Sequence, residues 1–108
     1  MPEDEAPYVP ASRPYRKRFR YQYRRHAFDK LRAIDLPLRE FQALLEDGEV
    51  IAEARVGILV HKELVLLVQW RNPLHVAIVV DEAREEERIV TVYEPDRTEW
   101  STDFRRRR

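Results

Sequence analysis

Between Leu74 and Glu94 the apolar and polar positions fall into two short arms around a charged stretch. The first arm reads Leu74-His75-Val76-Ala77-Ile78-Val79-Val80-Asp81, the second Arg88-Ile89-Val90-Thr91-Val92-Tyr93-Glu94. Both are rich in β-branched residues and of strand length. Glu82 to Glu87, almost wholly charged, predicts the solvated turn of a hairpin. The first arm is nearly continuous in apolar residues, which predicts a central strand covered on both faces. His75 interrupts it, and antiparallel pairing sets Tyr93 and Glu94 near its end of the hairpin. Neighbouring strand residues point to opposite faces, so at most one of that pair shares a face with His75.

Upstream the period changes. Ala27, Leu31 and Ile34 recur at helical spacing after His26, and Leu38, Phe41, Leu44 and Leu45 form a second stripe. Pro37 stands at or beside the start of the second helix, and Gly48 is expected as its left-handed stop. Val50-Ile51-Ala52 starts a strand and Leu64 to Trp70 is a strong one, while Val56 to Val60, broken by Gly57, has no clear period. Phe19-Arg20-Tyr21-Gln22-Tyr23 alternates as an edge strand or lead-in would. Its rings either pack on the core or form, with neighbouring arginines, a basic aromatic surface for RNA. The expectation is one α+β domain over residues 19–104, with two N-terminal helices packed on one face of an antiparallel sheet of about four strands. Its other face is left for a ligand, and Trp100 and Phe104 anchor the end of the chain on the body. Residues 1–18, with four prolines, read as an extended or mobile basic arm, and residues 105–108 as a basic tail.

Composition narrows the chemistry. Basic and acidic residues number 20 each, so net charge says nothing about partners, but Arg13, Arg16, Lys17, Arg18, Arg20, Arg24 and Arg25 crowd one stretch. The chain has no cysteine, which excludes disulfides and thiolate metal sites. No apolar run approaches the ~20 residues of a membrane helix, and the first residues lack a signal-peptide layout. A soluble, cytoplasmic protein is expected. His26, His61 and His75 are far apart in sequence, and two glycines cannot build a phosphate loop. Neither a metal nor a cofactor is expected. What remains is acid–base chemistry assisted by cations, which suffices for RNA cleavage through the 2′-hydroxyl.

Several motifs carry a resemblance. They are His26-Ala27 opening a helix, Asp47-Gly48-Glu49-Val50-Ile51 before the sheet, and Pro73-Leu74-His75-Val76 followed by Val79-Val80-Asp81. The most specific is Thr91-Val92-Tyr93-Glu94-Pro95-Asp96 with Trp100 and Phe104. Over roughly His26 to Phe104 the chain resembles the bacterial domain-of-unknown-function 4258 family. The resemblance implies a fold like that of RelE-type and barnase-like ribonucleases, and a toxin partnered by a cognate antitoxin protein. The family usually carries Arg four residues after the His-Ala pair, then a second Arg and a Gly; here those places hold Lys30, Ile34 and Asp35. On this reading the chain is a small RNA endonuclease. His75 and His26 are the acid–base candidates, Tyr93 orients or donates, and Glu94 acts as a base or positions His75. Lys30 and Arg32, with Arg24 and Arg25, hold RNA phosphate. Each residue also has an ordinary role: His75 at a core edge, His26 at a helix start, Tyr93 at a sheet end, Glu94 in solvent before a turn. Two rivals use the same residues. One is a non-catalytic module binding RNA or a protein, favoured by Lys30 and Ile34; the other is an interaction domain with Phe19, Tyr21 and Tyr23 as a homodimer edge.

Overall fold

A computed structural model describes residues 19–108, so the arm expected over residues 1–18 lies outside the described residues. The elements run β1 (Arg20–Tyr23), α1 (Arg25–Ala33), α2 (Leu38–Glu46), β2 (Glu49–Arg55), β3 (Val60–Leu67), β4 (Leu74–Asp81) and β5 (Glu86–Tyr93). All five strands share one sheet in the order β1-β5-β4-β3-β2. From β2 to β5 each strand is the antiparallel neighbour of the next. β1, however, runs parallel to β5.

The expected fold, four antiparallel strands preceded by two helices, is therefore corrected: the sheet has five strands, is mixed, and begins before the helices. The reason is topological. α1 and α2 carry the chain from one edge strand to the opposite edge, and the hairpins then fill the sheet back until β5 meets β1. Arg20 faces Glu86 and Tyr23 faces Ile89, pairings too distant along the chain for a local pattern to contain. Alternation in β1 is nevertheless used as it reads. Phe19, Tyr21 and Tyr23 turn toward the core while Arg20 and Gln22 face solvent. Tyr23 packs on Phe41, with ring centroids 6.1 Å apart, and its hydroxyl accepts from Gln42 Nε2 at 3.0 Å. These rings are engaged in the fold and do not present an open aromatic edge.

The main core joins Ala27, Leu31, Phe41 and Leu45 of the helices to Val65, Leu67, Leu74, Val76, Ile78, Val80, Ile89 and Val92 of the sheet. Burying each large side chain stabilises the fold by about 1.5–3 kcal/mol before entropic costs. Gly48 is not a left-handed stop, since no glycine has positive φ. Glycine is required there because a Cβ would lie 2.5 Å from Val65 Cγ1 and 2.7 Å from Leu67 Cδ2, where the chain leaving α2 presses on β3. The left-handed residues among those described are Asp35, Glu85 and Phe104; Asp35, φ 61°, stands just after α1, at the place where the resembled family carries glycine.

A second, smaller cluster covers one end of the other face. Trp100 and Phe104 pack there on Leu66, with Ile51 and Leu64 beside them. Residues 105–108 do not trail away. Ser101 N–H donates to Arg106 O at 2.7 Å and Arg108 N–H to Glu99 O at 2.9 Å, while Arg105 grips Glu49 through Nε at 2.9 Å and Nη2 at 2.7 Å. β4 is thus covered on both faces only at its start: Leu74, His75 and Val76 are buried, and alternation resumes at Ala77. No helix among the described residues is long and apolar enough to cross a membrane.

Candidate functional site

The register of the hairpin sets His75 directly opposite Tyr93. Of the two candidates at the end of β5, Tyr93 shares the face of His75, and Glu94 does not. The imidazole is completely buried. Its Nε2 lies 2.9 Å from the Phe104 carbonyl oxygen, which can only accept, so Nε2 carries the proton. Nδ1 then accepts from the Tyr93 hydroxyl at 3.2 Å. Trp100 closes over the ring edge-on, centroids 4.3 Å apart at 84°. Burial pushes the His75 pKa below its ordinary 6.5; the Phe104 carbonyl opposes this and Arg107 adds to it. Burial likewise raises the Tyr93 phenol. His75 is a neutral ring with both nitrogens engaged, tying the C-terminal segment to the sheet.

A pH dependence follows. The unfolded chain protonates His75 near pH 6.5, the folded protein only at lower pH. Between those values the unfolded state binds more protons, so this stabilisation is complete above the unfolded pKa and is lost as pH falls toward the folded one. Melting temperature should therefore fall between about pH 7 and pH 5.5. The fall should be shallower in His75→Gln, and equal slopes in the two proteins would contradict the assignment.

The remaining candidates lie elsewhere. Lys30, Ile34, Leu74, Val92, Tyr93 and Glu94 line a cleft of about 360 Å³ between α1 and the ends of β4 and β5. Glu94 does not position His75; its Oε2 accepts from Asn72 Nδ2 at 3.2 Å. Lys30 reaches the same cleft from the flank of α1. His26 sits exposed in the first turn of α1. The helix packs on the sheet face opposite His75, so the sheet separates the two histidines.

The outer side of α1 is basic. Arg24, Arg25, His26, Lys30 and Arg32 are all exposed, and Phe28 is 41% exposed among them. Arg25, Phe28 and Arg32 lie at i, i+3 and i+7, one stripe of the helix. Ala27 and Leu31 occupy the buried stripe, which forces the charged residues outward. The one acid of this helix, Asp29, sits 3.5 Å from Arg25 and offsets a single charge.

One constellation escaped the sequence reading, which found no metal-ligand set. His61 and Glu63, two apart on β3, share a face, and β2 places Glu53 directly opposite Glu63. The signal is a His-x-Glu pair on one strand with a glutamate in the partner strand. It is legible only once the register is known, and β2 carries an irregularity between Val50 and Ala52 that shifts it.

The geometry thus divides the predicted set into a buried His75 paired with a half-buried Tyr93, an open Lys30–Glu94 cleft and a basic helix face. No protein-family model, curated protein or solved structure matches the chain, so the resemblance to the bacterial domain-of-unknown-function 4258 family rests on its motif residues alone.

Proposed function

We propose that this chain is a non-catalytic RNA-binding module, using the outer face of α1 and the adjoining cleft at Lys30. One observation carries the reading: Arg25, Arg32 and the exposed Phe28 share one stripe of α1, with Lys30 on its other flank at the cleft, while His75, the central acid–base candidate, is wholly buried and hydrogen-bonded at both nitrogens. Arg24, Arg25, Lys30 and Arg32 suit phosphates, and Phe28 offers a surface on which a base can stack. A general base must reach the proton it removes. His75 meets no solvent, and Trp100, Tyr93 and Phe104 would all have to move before a 2′-hydroxyl could approach it. The cytoplasm is the setting this reading takes.

A second reading, cleavage, is favoured by the cleft that Lys30 and Glu94 both line. There Glu94 would act as base and Lys30 would hold phosphate. A cognate antitoxin belongs with this reading and stands or falls with it.

Filter binding of single-stranded RNA at increasing salt tests the proposal. Four cations on phosphates give a log–log slope of about −2 to −3, at roughly −0.7 per contact. A titration flat in salt rejects the α1 interface. Steady loss of full-length RNA in the same tubes rejects the non-catalytic reading in favour of cleavage.

A further inference from the structure

We propose that Glu53, His61 and Glu63 form a binding site for a divalent transition-metal ion of the zinc class, with Glu82 orienting the imidazole. The site lies at the end of the sheet remote from His75. It owes nothing to the RNA reading and is tested apart from it.

The geometry carries the proposal. His61 Nε2 lies 2.8 Å from Glu63 Oε2 and 3.6 Å from Glu53 Oε2. One ligand atom from each of the three residues falls within 4.8 Å of the others. Zinc bound tetrahedrally at about 2.0–2.1 Å holds its ligands roughly 3.3 Å apart, so the two separations from His61 need shifts of about half an ångström and the two carboxylates close from within 4.8 Å. The His61 and Glu63 side chains are 2% and 0% exposed and Glu53 is 19% exposed, which leaves a way in from the β2 edge.

Three further features point to a cation. Like charges directly opposite across two strands destabilise the pair, yet Glu53 faces Glu63 in the β2–β3 register. Glu53 Oε2 is buried with no hydrogen-bond partner among the described residues, and such an oxygen is costly unless something positive meets it. On the far side of the ring, Glu82 Oε2 lies 3.8 Å from His61 Nδ1. That distance is too long for a hydrogen bond, and the 2.8 Å contact to Glu63 directs the Nε2 proton at a carboxylate. A metal taking the place of that proton would leave the ring's N–H on Nδ1, on the side where Glu82 stands, the arrangement in which ligating histidines are usually found. Binding then displaces any proton on Nε2 and converts two repelling carboxylates into ligands of one ion. One imidazole nitrogen and two carboxylate oxygens suit zinc and its first-row neighbours. Three protein ligands leave a coordination position for water.

The test is calorimetric titration of zinc into the chelator-treated full chain, with melting followed in parallel. One ion per chain and a raised melting temperature are expected. Glu53→Gln, at a partly exposed position on an edge strand, should abolish or greatly weaken binding, and Glu82→Gln should weaken it 10- to 100-fold. His26→Asn, a control for binding at the exposed histidine, should leave it unchanged. Circular dichroism of the metal-free variants confirms that each is folded. The proposal is overturned if zinc neither binds nor shifts the melt, which would mean that the protein itself supplies the cation. It is equally overturned if binding survives Glu53→Gln at full strength, or disappears in His26→Asn.

Discussion

Replacing His75 by alanine is expected to cost about 2–5 kcal/mol of stability, the largest effect of any single substitution considered. The change removes a fully buried ring from beneath Trp100 and leaves a cavity. It also strips the Phe104 carbonyl and the Tyr93 hydroxyl of their shared partner. The Phe104 carbonyl, a buried group left unpaired, costs about 1–3 kcal/mol, and the cavity beneath Trp100 adds to it. The consequence should spread along the chain, because Phe104 and Trp100 anchor the last segment on Leu66. Amide exchange should accordingly quicken from Trp100 onward more than in α1. Urea unfolding of the two proteins gives the energy, and a His75→Ala variant as stable as the parent would remove the structural role assigned to this residue.

The second large effect is expected at Gly48. Gly48→Ala should destabilise by about 1–3 kcal/mol, because the new methyl group meets Val65 and Leu67 at distances no relaxed contact allows. Larger residues should be worse, with Asn below Ala. A left-handed glycine would behave oppositely, since Asn tolerates positive φ better than Ala does. Truncating the neighbour supplies an internal check: in Gly48→Ala with Val65→Ala the two costs should be far from additive, as for residues in direct contact. Additive costs, or Asn outranking Ala, would contradict the steric account.

These two positions also mark how far sequence reasoning reached. The hairpin is legible because both arms are rich in β-branched residues, are of strand length, and flank a charged turn. Antiparallel pairing alone sets Tyr93 and Glu94 near His75 and leaves open which of them shares its face; the register puts Tyr93 opposite His75. Their chemical state did not follow, because it depends on Phe104 and Trp100 closing over the ring from more than twenty residues downstream. Gly48 was read from local punctuation, whereas its reason is contact with another strand. β1 was seen as a strand-like stretch, but its parallel partner lies at the other end of the chain. The Glu53–His61–Glu63 group needs two strands in one particular register, which composition and spacing cannot supply. Lys30 and Glu94 were both named, and a tertiary cleft between α1 and β5 brings them together. His26 was named with His75, and the sheet keeps them apart.

The account rests most heavily on separating the basic face of α1 from the buried histidine. The measurement that does this compares Arg25→Ala/Arg32→Ala with His75→Gln, each beside the parent, for RNA affinity and RNA cleavage in the folded fraction. The account predicts that the double arginine variant melts near the parent and reduces the salt slope by about 1.4, for two lost phosphate contacts. It predicts that His75→Gln melts lower but binds RNA with the parent's salt slope, and that none of the three proteins cuts RNA. Cleavage by the parent that falls by about 10²-fold or more in a stably folded His75→Gln would contradict it.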